Sequence, residues 1–283
     1  MTNKKTTDIA KKEITEQVLN RINEYEASGG LHLPSDYSAE NALKGAMLEL
    51  QDVKDRNGKP ALDICTRESI AMSLLKMCIQ GLSVIKGQGY FIVYGEQLIW
   101  SRSYQGSIAL ARRVGNVSNV KAQVVYEGDS FSFSVDTETG FKKITEHVQK
   151  LENINNAKIV GGYAIVTYND RATDAEIMTI EEIRDAWNQG ATKGKSPAHQ
   201  NFTQEMSKKT VINRACKGPI NSSSDSYLFN SGLEAKQIDA PKEVQTEVEE
   251  TTETEDVNFE EVEPEKVKPS NDAPQGSQEN PPY

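Results

Sequence analysis

Cations mixed with aromatic rings are the side chains in this sequence best suited to chemistry with a partner. Trp100, Arg102, Tyr104, Arg112, Arg113 and Lys121 all fall between positions 100 and 121. Single-strand nucleic-acid binding uses that mixture: bases stack on ring faces, at roughly 1–3 kcal/mol each, while Arg and Lys follow the phosphates. Arg112 and Arg113 also end a helical pattern, where cations complement the helix dipole. A second basic group, Lys208, Lys209, Arg214 and Lys217, lies among Met206, Val211, Ile212 and Ala215. At helical spacing its cations flank an apolar stripe and project from one edge. A third, Lys193 and Lys195, sits in a glycine-flanked loop suited to meeting phosphates as a mobile arm.

Other chemistries find less support. Residues 190–196 resemble a phosphate loop but place three residues between Gly190 and Gly194 where the nucleotide-binding pattern needs four. The loop also follows a helix, and Pro197 is expected to interrupt the helix that should come next. His32, His147 and His199 are isolated, and Cys65, Cys78 and Cys216 form no CxxC pair. The sequence therefore predicts no catalytic residues, no metal and no cofactor, and a reduced, cytoplasmic protein.

The elements that must position these side chains follow from periodicity. Ile9, Ile14, Val18, Leu19, Ile22 and Tyr25 mark an amphipathic helix that stops at Gly29 and Gly30. Its apolar stripe needs the body of the chain or a neighbouring subunit. Helices are expected over 38–53 and over 66–80, the latter capped by Thr66. Runs 89–94 and 97–100 form a hairpin about Gly95 and Glu96, and a helix follows from Tyr104 to Val114. Runs 120–126 and 130–135 are expected to form a second hairpin, and 159–168 with 175–180 a third. Thr179 and Glu182 have capping-box spacing, and a last helix over 200–217 is expected to end at Gly218 and Pro219. Hairpins interleaved with helices, without βαβ alternation, make an α+β fold.

Charge divides the chain. The net charge is −10, yet residues 231–283 hold 15 acids against 4 bases, which leaves residues 1–230 at about +1. The acidic balance belongs to a tail whose composition predicts disorder, so it does not argue against a polyanionic partner for the body. No run reaches the roughly 20 apolar residues needed to span a bilayer. The organisation expected is an N-terminal helix over 1–35 that could contact another subunit, an α+β core over 36–230 and an acidic tail over 231–283.

Two linked stretches resemble the RecT family of phage and prophage annealing proteins. The first includes Gln80-Gly81-Leu82, Gly89-Tyr90, Tyr104-Gln105-Gly106, Ala109 to Gly115, and Val124 to Phe131. The second is Glu205 to Arg214 with Lys217-Gly218-Pro219. Gln105 stands where the family often has a basic residue, so a hydrogen bond replaces an ion pair there, and Asn213 stands where Arg is common. The resemblance implies a twisted antiparallel β-sheet backed by helices with a basic groove. It also implies ATP-independent annealing of single-stranded DNA to give duplex, ring or helical-filament homo-oligomers, and a 5′-to-3′ exonuclease partner. On this reading Arg102, Tyr104, Gln105, Arg112, Arg113, Lys121, Lys208, Lys209, Arg214 and Lys217 meet DNA, with Lys193 and Lys195 as a flap. The tail is either a spacer, a competitor for the groove or a dock for a nuclease or replication partner such as a host single-strand-binding protein. A passive coat protein for DNA or RNA, a nuclease or ATP-driven recombinase, and an interaction scaffold are the alternative classes.

Overall fold

The computed structural model describes residues 2–189 and 193–223, with side chains from residue 12 onward. The expected acidic tail and positions 190–192 of the basic loop lie outside the described residues. Helix α1 (Thr2–Ala27) buries Ile14, Val18 and Ile22 against α2 (Ala39–Glu49) and α4 (Arg67–Ile79), with the short α3 (Ala61–Ile64) adding Ala61 to the same core. From Ile14 onward the apolar stripe of α1 packs within its own chain, and Glu13 adds an exposed ion pair to Arg67 at 2.6 Å. Ser38 and Thr66 cap α2 and α4, accepting from Asn41 N and Ser69 N. Helix α2 stops at Glu49, several residues short of the expected 38–53 span.

Strands β1 (Gly89–Tyr94) and β2 (Gln97–Arg102) form the expected hairpin, with Tyr94 opposite Gln97. Its two-residue turn uses Gly95 at φ 56°, a conformation that costs glycine nothing. The hairpin is bolted to α4 by polar side chains. Ser73 Oγ donates to Leu98 O at 2.7 Å, and Leu98 N donates to Ser69 Oγ at 3.0 Å.

The second half is built on β3 (Val117–Tyr126), β6 (Ile159–Tyr168) and β7 (Thr173–Thr179), an antiparallel sheet in the order β3-β6-β7. Helices α5 (Tyr104–Val114), α6 (Ile180–Asn188), the short α7 (Pro197–Asn201) and α8 (Thr203–Asn221) complete it. Leu110, Val120, Ala164, Met178, Ile183, Met206 and Val211 form its core between sheet and helices. The capping box at α6 has both of its hydrogen bonds, Glu182 N to Thr179 Oγ1 and Thr179 N to Glu182 Oε2. The fold is α+β, with its antiparallel strands divided among one sheet and two hairpins rather than joined in one sheet.

Three further local expectations fail. Residues 120–126 and 130–135 do not pair: β3 pairs β6, and β4 (Ser130–Val135) pairs β5 (Lys142–Val148), a strand the sequence did not announce. The reason is a corner at Asp129. Its carboxylate, out of contact with solvent, accepts from Tyr126 N, Gln149 Nε2 and Asn153 Nδ2, each at 2.9 Å. His147 Nε2 lies 3.4 Å away while its Nδ1 meets Tyr163 Oη at 2.9 Å, contacts that fit an Nε2–H tautomer accepting the tyrosine proton. Phe131 then stacks on Tyr163 at 5.5 Å, and β4 crosses the sheet face instead of extending it. Second, α8 runs through Gly218 and Pro219 to Asn221. Third, Pro197 opens α7 at its first turn beneath the Ser196 cap, where the missing N–H has no helical partner to lose.

Burial alone would raise the Asp129 pKa, but donation from Gln149, the Tyr126 amide, Asn153 and His147 outweighs it and holds the carboxyl at about 2. That stabilisation is complete above the ordinary value of 3.8 and is lost as pH falls through about 2. Asp129→Ala, which strands several donors, is expected to cost about 2–4 kcal/mol in urea unfolding at neutral pH. The difference from the parent protein should shrink on acidification through that window.

Candidate nucleic-acid interface

Helices α5 and α8 lie side by side and run in the same direction. The Tyr104 ring at the start of α5 faces Lys209, and Gly115 at its end closes on Pro219, whose Cβ would stand 2.6 Å from a Cβ at Gly115. Tyr104 is fixed by the cap before it. Ser103 Oγ accepts from Gly106 N at 3.1 Å and donates to Gly87 O at 2.7 Å. Gly106 admits no side chain, because the Gln88 carbonyl and the Arg102 stem occupy the space a Cβ would take.

The two helices and the edge strand β3 enclose an open groove of about 220 Å³. Tyr104, Lys121, Lys208 and Lys209 stand around it, with Ile108, Val120, Ala122 and Ile212 supplying apolar surface and Glu205 at its border. Lys209 is buried with its Nζ 5.7 Å from the centroid of the Tyr104 ring, a cation–π arrangement. Lys208 pairs with Glu205 at 3.3 Å across one helical turn, and Lys121 is exposed. Gln105 is exposed one residue beyond Tyr104, and its Nε2 donates to Tyr104 Oη at 3.3 Å.

The remaining sequence-selected residues are placed elsewhere. Arg102 is half-buried along α5, its Nε donating to Ser107 Oγ at 3.3 Å. Burial lowers its pKa from the ordinary arginine value, partly offset by the nearby Cys216 thiol. Arg113 packs its guanidinium over Gly81, close to Pro34, at the junction between α4 and β1. Arg112 is exposed in the last turn of α5. Arg214 pairs with Glu176 on β7 at 3.0 Å. Lys217, nine residues beyond Lys208, points about half a turn away from it. Lys193 (φ 49°) and Lys195 are exposed, and their loop packs through Gly194 on Trp187.

Sequence spacing gave no separate weight to the apolar floor. Its signal was nonetheless present, since Ile108 is one turn from Tyr104 and Ile212 one turn from Lys208. The floor matters physically because rings and methyls beside cations accept a flat, partly apolar anion better than a charged ridge does.

Comparison with known proteins bears on this arrangement. The RecT family matches residues 40–257, a span that contains the whole groove. The chain belongs to the RecT family. "Protein RecT" of Escherichia coli (strain K12) is 30% identical over 197 residues, covering 65% of this chain and 68% of that protein. Membership makes the chain a recombination-related, DNA-binding, single-strand annealing protein. Among the described residues no helix is long and apolar enough to cross a membrane.

The placements separate two kinds of cation. Arg102→Ala removes a packed side chain and is expected to cost about 1–3 kcal/mol of stability. Lys121→Ala, at an exposed position, is expected to stay within about 0.5 kcal/mol. Parallel thermal and urea unfolding of the two variants checks the contrast.

Proposed function

We propose that the groove between α5, α8 and β3 carries one strand of DNA, and that the protein anneals complementary strands there without a nucleotide or metal cofactor. The observation that carries the reading is convergence. Lys121 comes from β3 and Lys208 and Lys209 from α8, far apart in sequence, yet all stand with Tyr104 around one apolar-floored groove. On a body of charge about +1, such local concentration supplies positive potential where the overall charge does not.

The mechanism follows from what annealing requires. Pairing needs phosphate repulsion reduced while base edges stay free, so contacts run to backbone and stacking faces. Lysine ammonium groups suit the first task, because they neutralise charge without the fixed fork of arginine. Tyr104, braced by Lys209 behind it, offers a ring face for the second. The expected consequences are weak sequence preference and steep salt dependence.

A short path per subunit favours a ring or helical filament whose grooves join. Exposed apolar side chains concentrated between residues 133 and 160, including Phe133, Val135, Val148, Leu151 and Ile154, support self-association. A 5′-to-3′ exonuclease that exposes the strand is the expected partner in the cytoplasm, and a host single-strand-binding protein is a further one.

The test is fluorescence-monitored annealing of complementary oligonucleotides without ATP, across a salt series, with a non-complementary pair as control. Acceleration confined to the complementary pair and fading with salt is expected. Lys121→Ala combined with Lys208→Ala should weaken single-strand affinity about tenfold or more at low salt and reduce the slope of log K against log salt by about 1–2. Tight binding without acceleration would leave a passive coat protein instead.

A further inference from the structure

The groove asks for an occupant that is anionic and also carries a flat apolar group. Lys121, Lys208 and Lys209 supply the cations, while Tyr104, Ile108 and Ile212 supply the apolar surface. The chain contains a segment with both properties. Residues 243–265 hold eleven acids and neither Lys nor Arg, and Phe259 stands among them in Glu255-Asp256-Val257-Asn258-Phe259-Glu260-Glu261.

We propose that this acidic segment, centred on Phe259, occupies the groove of its own chain when DNA is absent and must be displaced by the incoming strand. The idea rests on the reading of the groove as the path of the strand. Charge complementarity is one argument: carboxylates replace phosphates opposite the lysines, and the Phe259 ring replaces a base opposite Tyr104 and Ile108. Length is the other. Lys208 lies about 20 Å along α8 from its last residue, Asn221, at 1.5 Å per residue. A chain of the length separating Asn221 from Phe259 would have a root-mean-square span of roughly 30–40 Å as a random coil, which is longer than the distance back to the groove.

Tethering then sets the size of the effect. With an effective concentration on the order of 1 mM, a segment–groove dissociation constant of about 0.1 mM would suffice to weaken DNA binding about tenfold. Both partners are charged, so the competition fades as salt rises. Strands long enough to cross several grooves would displace the segments readily, whereas short fragments would not. The device would thus favour long exposed strands over stray oligonucleotides.

The test compares single-strand affinity, by fluorescence anisotropy, for the full-length protein and two full-length variants. One carries Glu255→Gln, Asp256→Asn, Glu260→Gln and Glu261→Gln, and the other Phe259→Ala. The expected result is about tenfold tighter binding for the charge variant at low salt, a smaller gain for Phe259→Ala, and convergence of all three at high salt. Equal affinities at low salt, with binding itself intact, would overturn the tail proposal and leave the groove reading standing. If none of the three binds single strands, the groove reading falls and this proposal with it. Carbodiimide coupling of the free full-length protein gives a second readout. Links from Lys121 or Lys208 to residues 255–263 that vanish on adding single-stranded DNA are expected, whereas links confined to lysines away from the groove, such as Lys142 and Lys143, would overturn the proposal.

Discussion

The parallel seating of α5 on α8 is the constraint on which the rest of the second half depends. Leu110 and Ala111 of α5 meet Val211, Ile212, Ala215 and Cys216 of α8 in one core with Val120 and Ala164 of the sheet. Burying such side chains contributes roughly 1.5–3 kcal/mol each for the larger aliphatics. That core sets Tyr104 against Lys209 and Lys208 beside β3. The groove is therefore a by-product of packing, pre-formed rather than assembled by its ligand, which suits a protein whose partner is a flexible polymer.

Polar side chains do comparable work at the corners. Asp129 gathers donors from β3, β5 and the segment after it, turning the chain out of the main sheet. Gln80 Oε1 accepts from Trp100 Nε1 at 2.9 Å and ties α4 to β2. Arg113 lies over Gly81, whose φ of 59° favours glycine. These contacts give a physical reason for several residues in the stretches that resemble the family. Gln80, Gly81, Gly106 and Asp129 shape the frame, while Tyr104, Lys208 and Lys209 face the groove.

Much of the frame was legible in the sequence because its signals are local. Thr66, Gly95 and the Thr179–Glu182 pair announce their elements through hydrogen bonds within a few residues. The pairing of β3 was not legible, since its partner lies some forty positions on and the nearer run, β4, has equally good alternation. Between β3 and β4 stands the buried carboxylate of Asp129, whose hydrogen bonds turn the chain out of the main sheet. For the groove, spacing identified Tyr104, Lys121, Lys208 and Lys209 as residues of the right type but could not tell them from Arg102, Arg113 and Arg214. Those three have the same chemistry in the sequence and different neighbours in space: Ser107, Gly81 and Glu176.

The central claim is that a single strand runs through the groove between α5, α8 and β3. Photo-crosslinking of an oligonucleotide carrying 4-thiothymidine, followed by mass-spectrometric mapping of the modified peptides, tests it most directly. The account predicts adducts on the start of α5 at Tyr104, on β3 near Lys121 and on α8 near Lys208, all suppressed together by salt. Adducts confined to the β4–β5 hairpin, with none on α5 or α8, would contradict it.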